Sequence, residues 1–128
     1  FLKLSLPDRV MDSYRTIMSD YFCMKQYEKG YETYREAVKK TRPDALFLVR
    51  AIGCELCLLK EKKEENLEKQ ILEELPVQIE RVVELAVSNR RKNVGVLKDL
   101  QKKLEELEAW TELQELVKEY RIKIEEYL

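Results

Sequence analysis

YRTIMSDYFCMKQYEKGYETYREAVKKTRP, running from Tyr14 to Pro43, decides how this chain folds. Tyr14, Ile17, Met18 and Tyr21 recur at helical spacing on one face. Lys25-Gln26 reads as a turn, and Tyr27, Gly30, Tyr34 and Ala37 then form a second face that Pro43 closes. Large residues at i, i+3, i+7 followed by small-large-small at i, i+4, i+7 suit two helices packed as a hairpin. The small residues let the backbones approach and the large ones fill the gap. A unit of this kind is a binding scaffold more often than an enzyme.

Outside the hairpin, composition extends the helical reading. The chain has 128 residues, enough for one domain with a real core. It is 45% hydrophobic and 38% charged, with only three glycines and three prolines to interrupt helices, which predicts an all-α fold. The net charge of −1 gives no global field to attract nucleic acid or an anionic membrane. Three cysteines (Cys23, Cys54, Cys57), an odd number set in apolar helical patterns, suit free thiols in a reducing, cytoplasmic compartment. No apolar run approaches the roughly 18 residues that a membrane span needs. The absence of an initiator Met and the helical pattern running into Tyr127-Leu128 predict a fragment of a longer protein.

The organisation expected is a lead-in over 1–9, a hairpin over 10–43, divergent helices over 44–93 and a C-terminal helical hairpin or long helix over 94–128. Pro7 and Asp8 suit a first helical turn, and Val10 to about Lys25 forms the first helix. Tyr27–Lys40 is the second, and Asp44 caps a third, about Ala45–Lys62, so apolar on most sides that it should be central. The run 60–65 reads as a solvated segment. Asn66 is expected to cap a fourth helix that Pro76 stops or kinks, with a fifth through Ile79, Val82, Val83 and Ala86. Beyond Val94, apolar residues run Leu97, Leu100, Leu104, Leu107, Trp110, Leu113, Val117, Tyr120, Ile124 and Tyr127. Their spacing shortens around Trp110. Either a new helix starts near Thr111, with Thr111 and Gln114 as a capping box, or one long helix carries a stammer; two helices are preferred.

Tyr14–Pro43 resembles the tetratricopeptide repeat. Numbered from Met11, the pattern's large residues fall on Tyr14, Ile17, Tyr21 and Tyr27, its small residue on Gly30, its aromatic on Tyr34 and its alanine on Ala37. Met18 stands where a small residue is usual, and Pro43 comes one position late. A second unit aligns through Val49, Ile52, Gly53 and Leu56, and a degenerate third through Leu97, Leu100, Leu104, Trp110, Leu113, Val117 and Tyr120. The resemblance implies antiparallel hairpins stacked as a short irregular α-solenoid of about six to seven helices. A relation to the helical-hairpin repeats of vesicle coat and tethering subunits is the other form it can take. It also implies a concave groove lined by Asp12, Arg15, Ser19 and Phe22, then Phe47, Arg50, Cys54 and Cys57, with Lys98 and Lys102 from the third unit. The basic residues Arg15, Lys98 and Lys102 resemble a chaperone-type carboxylate clamp, but Ser19 and Ala51 occupy its asparagine positions.

Catalytic chemistry finds little footing. The chain has no histidine, which removes the commonest general base and metal ligand together. Cys54 and Cys57 form a CxxC by letter, yet inside an apolar helix and with only Cys23 to add, too few ligands for zinc. Gly30, Gly53 and Gly95 are isolated, so no loop cradles a phosphate. Arg90-Arg91-Lys92 reads as a helix C-terminus before it reads as a phosphate contact. The expectation is a non-enzymatic adaptor without cofactor or metal. It would hold a partner's helix or extended segment, acidic in flank, through Arg15, Ser19, Phe22, Phe47, Arg50, Lys98 and Lys102. Burial of Phe22 and Phe47 against a neighbouring helix is the competing reading for those two. The alternative function is a structural segment of a larger assembly, oligomerising through Leu97, Leu100, Leu104 and Leu107.

Overall fold

A computed structural model of the chain describes residues 6–61, 64–87 and 93–128, with side chains from Arg9 onward. Lys62, Lys63 and the basic triplet Arg90–Lys92 lie outside the described residues. Among the described residues six α-helices follow one another: α1 Leu6–Cys23, α2 Tyr27–Lys40, α3 Ala45–Glu61, α4 Glu65–Val87, α5 Val94–Leu107 and α6 Gln114–Glu125. The fold is all-α, as composition predicts. Among the described residues no helix is long and apolar enough to cross a membrane.

The first hairpin forms where the aromatic pattern places it. α1 ends in a Schellman motif: Lys25 takes the left-handed conformation at φ 59°. The Gln26 N–H donates to the Tyr21 carbonyl (2.8 Å) and the Lys25 N–H to the Phe22 carbonyl (3.0 Å). The α2–α3 connection ends on Asp44, whose Oδ1 accepts from the Phe47 N–H at 2.9 Å, the predicted N-cap. Gly30 lets α2 and α3 close up, since a Cβ there would stand 2.8 Å from Cys54 Sγ.

α3 is the hub. It packs against α1, α2, α4 and α5, and twelve of its seventeen residues are buried. A helix surrounded on most sides must be apolar on most sides, which explains the run from Leu46 to Leu59. Phe47 belongs to this core with 0% exposure.

Two expectations are corrected in α4. Pro76 does not divide it: one helix runs through Glu65–Val87. Proline removes a single backbone donor, and the continuous buried stripe Ile71, Leu75, Ile79, Val82, Val83 and Ala86 carries the helix past it. Asn66 is not the cap but lies inside the first turn, where the Glu68 N–H already reaches the Glu64 carbonyl.

The C-terminal segment is two helices. The chain leaves α5 at Glu108–Trp110, makes a 3₁₀ turn over Thr111–Leu113 and starts α6 at Gln114. No capping box forms; Gln114 Nε2 instead donates back to the Glu108 carbonyl at 3.1 Å. α6 folds onto α5 and touches α4. Leu97, Leu100, Leu104 and Leu107 are therefore fully buried within the chain. The four leucines expected to offer an oligomer interface instead face α3, α4 and α6 within the chain.

Candidate docking cleft

α1 presents Met18, Ser19, Phe22 and Cys23 on one face, spaced i, i+1, i+4, i+5, and that face overhangs α3 and α5. With Arg50 and Gly53 of α3 and Lys103 of α5 they line a cavity of about 390 Å³. Met18 is fully buried and forms the floor, while Phe22 stands 42% exposed at the rim. The Phe22 ring is braced edge-on by Tyr27, 5.6 Å between centroids at 65°.

Gly53 gives this cleft its depth. A Cβ there would lie 3.7 Å from Phe22 Cε2 and 3.2 Å from Lys103 Cε. The absent side chain lets the Lys103 stem lie close against α3 where it lines the cavity. Arg50 Nη1 donates to Ser19 Oγ at 3.0 Å. Among the described residues neither Arg50 nor Lys103 pairs with a carboxylate.

A shallower depression adjoins it, sharing Ser19 and Arg50 and adding Asp12, Arg15, Thr16, Asp20 and Leu46, about 560 Å³ in all. Here the charge is already balanced. Arg15 bridges Asp12 on its own helix and Asp44 at the start of α3. The hydrogen bond that Arg15 donates to Asp12, with Asp44 adding, raises the Arg15 pKa against the opposing cost of burial. A third depression of about 530 Å³ lies at the α5–α6 turn, where Arg121 is met by Glu105 and Glu108.

The sequence-derived site is thus brought together only in part. Ser19, Phe22 and Arg50 converge on the cleft. Arg15 sits beside it with its charge neutralised. Phe47 does not reach it: the hub position of α3 turns that ring into the core. Lys98 and Lys102 are exposed but do not line the cavity; Lys103 does, because α5 crosses α3 outside the repeat's register. Cys54 is buried against Gly30 rather than lining a groove, and Cys57 sits half-buried beside Tyr27.

Met18, Cys23, Gly53 and Lys103 were missed. Gly53 alone carried a sequence signal, as an isolated glycine in an otherwise bulky helix. Burial, with Cys57 adding, pushes the Cys54 thiol up to about 12, and burial also raises Cys57. Neither is a ready thiolate. Among the described residues no cluster of three or more Cys, Asp or Glu side chains is placed to hold a metal.

No known protein family matches this chain, and no curated protein or solved structure matches it either. The cleft is accordingly read from its own geometry.

Proposed function

We propose that this domain is a non-enzymatic adaptor of tetratricopeptide-like architecture whose α1–α3–α5 cleft seats an acidic, apolar-anchored segment of a partner protein. The observation that carries the reading is one juxtaposition. A half-exposed phenylalanine stands over an apolar floor between two cations, Arg50 and Lys103, that pair with no carboxylate among the described residues. Aromatic and arginine side chains around a small desolvated pocket are the composition of binding hot spots. Cations at the rim steer and select an acidic flank. The cavity volume suits one large apolar side chain, with the rest of the segment lying across the rim. The stacked helices are equally compatible with a segment of a larger assembly. Such an assembly would use a surface other than the four core leucines, and the exposed Ile122 on α6 is the apolar residue offered there.

Selection from a random peptide display library tests the reading. The wild-type domain is expected to enrich sequences with one large apolar residue flanked by Asp or Glu. Arg50→Glu with Lys103→Glu should reverse the charge preference, and Phe22→Ala should lower enrichment with unchanged circular dichroism. Enrichment of the same sequences by wild type and both variants would sink it.

A further inference from the structure

Among the described residues Glu55 is the one carboxyl that is buried without a hydrogen-bond partner. It sits in the middle of α3 with 0% exposure, and neither carboxyl oxygen has a hydrogen bond of good geometry. Gln78 of α4, 2% exposed, is in the same condition at both its amide nitrogen and oxygen. The two are nonetheless within reach of each other, and Gln78 is also within reach of the Tyr34 hydroxyl of α2. Three helices therefore direct polar groups at one point inside an apolar core.

Among the described residues the surroundings hold no cation for Glu55. From α4, Glu74 faces it as a like charge; from α2 come the hydroxyls of Tyr31 and Tyr34, and from α3 itself Cys54. α1 and α5 contribute no charged group that acts on it among the described residues. Glu74 has partners of its own: the Tyr31 hydroxyl donates to it at 2.7 Å and Arg35 Nε lies 4.0 Å away. An ionised carboxylate at position 55 would be buried and unpaired beside a second carboxylate, and burial of that kind drives the group to its neutral form.

We propose that Glu55, Gln78 and Tyr34 form a proton-dependent latch joining α3 to α4 and α2. A protonated carboxyl and a primary amide are complementary. The Glu55 O–H donates to the Gln78 carbonyl, and one Gln78 N–H donates to the Glu55 carbonyl. The second Gln78 N–H is left for the Tyr34 hydroxyl oxygen, so the four orphaned atoms satisfy one another after a small side-chain rotation. When the proton leaves to bulk water, the donating O–H is lost and two acceptors face each other across the α3–α4 contact.

The sign follows from where the proton sits. Burial holds the Glu55 carboxyl well above the usual carboxylate range in the folded state. Its contribution to stability is complete below the unfolded-state value, about 4.3, and is lost as pH rises toward the folded-state ionisation. Across that window the folded protein holds one proton that the unfolded chain has released. The folding equilibrium constant should fall about tenfold per pH unit from this group alone.

Urea unfolding of wild type and Glu55→Gln, measured from about pH 5 to pH 9, tests the latch. Gln keeps an amide-to-amide pair without a titrating proton. The expected result is that Glu55→Gln loses the wild-type decline and is the more stable of the two at the alkaline end. Parallel pH profiles would overturn the proposal. Should Glu55→Gln fail to fold, carbon NMR of wild type labelled at the glutamate carboxyls decides it. One glutamate must ionise at higher pH than all the others in the folded protein, and a titration in which every glutamate ionises together would overturn the latch.

Discussion

Adding one methyl group at Gly30 probes the closest approach in the fold, the α2–α3 contact. A Cβ at position 30 would lie 2.8 Å from Cys54 Sγ, and the next atoms, Cys54 Cβ and Tyr21 Cβ, are at ordinary contact distances of 3.7 and 3.9 Å. To reach even the tight end of normal contact, 3.4 Å, the sulfur or the helix must move by 0.6 Å. Cys54 is fully buried on a helix packed on four sides, so its rotamers are few and neighbours block them. Overpacking of this kind costs about 1–3 kcal/mol. Alanine in place of glycine within a helix returns about 1 kcal/mol through propensity. The two effects oppose, so Gly30→Ala alone should be destabilising by roughly 0–2 kcal/mol, too wide a range to decide anything.

A double-mutant cycle separates them. Cys54→Ala removes the one atom in the way at the cost of a small buried side chain, about 1 kcal/mol. In that background Gly30→Ala meets no contact shorter than 3.7 Å and should stabilise by about 1 kcal/mol, the bare propensity term. The coupling energy between the two sites is then about 1–3 kcal/mol and favourable. Urea unfolding followed by circular dichroism, at constant m, reads all four corners. Additivity within about 0.5 kcal/mol would mean that α2 and α3 are not in close contact at this point, and the packing argument for a small residue there would fail.

Two further substitutions and reagents address other elements. Asp44→Ala should destabilise by about 1 kcal/mol through loss of the α3 N-cap, while Asp44→Asn should recover most of it in thermal melts. If Asn rescues nothing, the bond to Arg15 outweighs the cap, against the discount that the near-half exposure of the Asp44 side chain imposes. Native-state alkylation followed by mass spectrometry should label exposed Cys23 first and Cys57 more slowly. Cys54, buried and with its thiol pushed up to about 12, should label only as fast as the chain unfolds. Early labelling of Cys54 would contradict its place in the core.

What the sequence made legible follows the strength of the local signals. The bounds of α2 were read correctly because aromatic and small residues alternate at helical spacing up to Pro43. The cap at Asp44 and the break near Trp110 were read for similar reasons. Pro76 misled because its local rule concerns one hydrogen bond, whereas α4 is decided by an apolar stripe longer than either half. Phe47, Lys98 and Lys102 were misplaced by one common cause. The repeat register fixes which face of a helix lines a groove only while successive hairpins stack regularly. Here α3 is met by α1, α2, α4 and α5 on several sides, so Phe47 is buried and Lys103, not Lys102, lines the cleft. Glu55 gave no signal beyond being a lone acid between two cysteines, since sequence alone does not say which side of a fully packed helix meets another polar group.

The case for the cleft as a docking site rests on preorganisation more than on size. A cavity of about 390 Å³ offers too little apolar area for tight binding by burial alone, and association must also offset the ordering of every side chain it immobilises. Here that ordering is largely complete beforehand. Phe22 is held edge-on by Tyr27, Arg50 is held by Ser19, and the stem of Lys103 is laid over Gly53. Each of these groups already has a neighbour within the chain to orient it. The two cations also flank a partly enclosed apolar surface, where a carboxylate is screened less than on an open helix face. An acidic segment with a single apolar anchor gains from both features. A purely apolar segment would leave Arg50 and Lys103 partly desolvated without a counter-charge, and a basic one would meet two like charges at the rim.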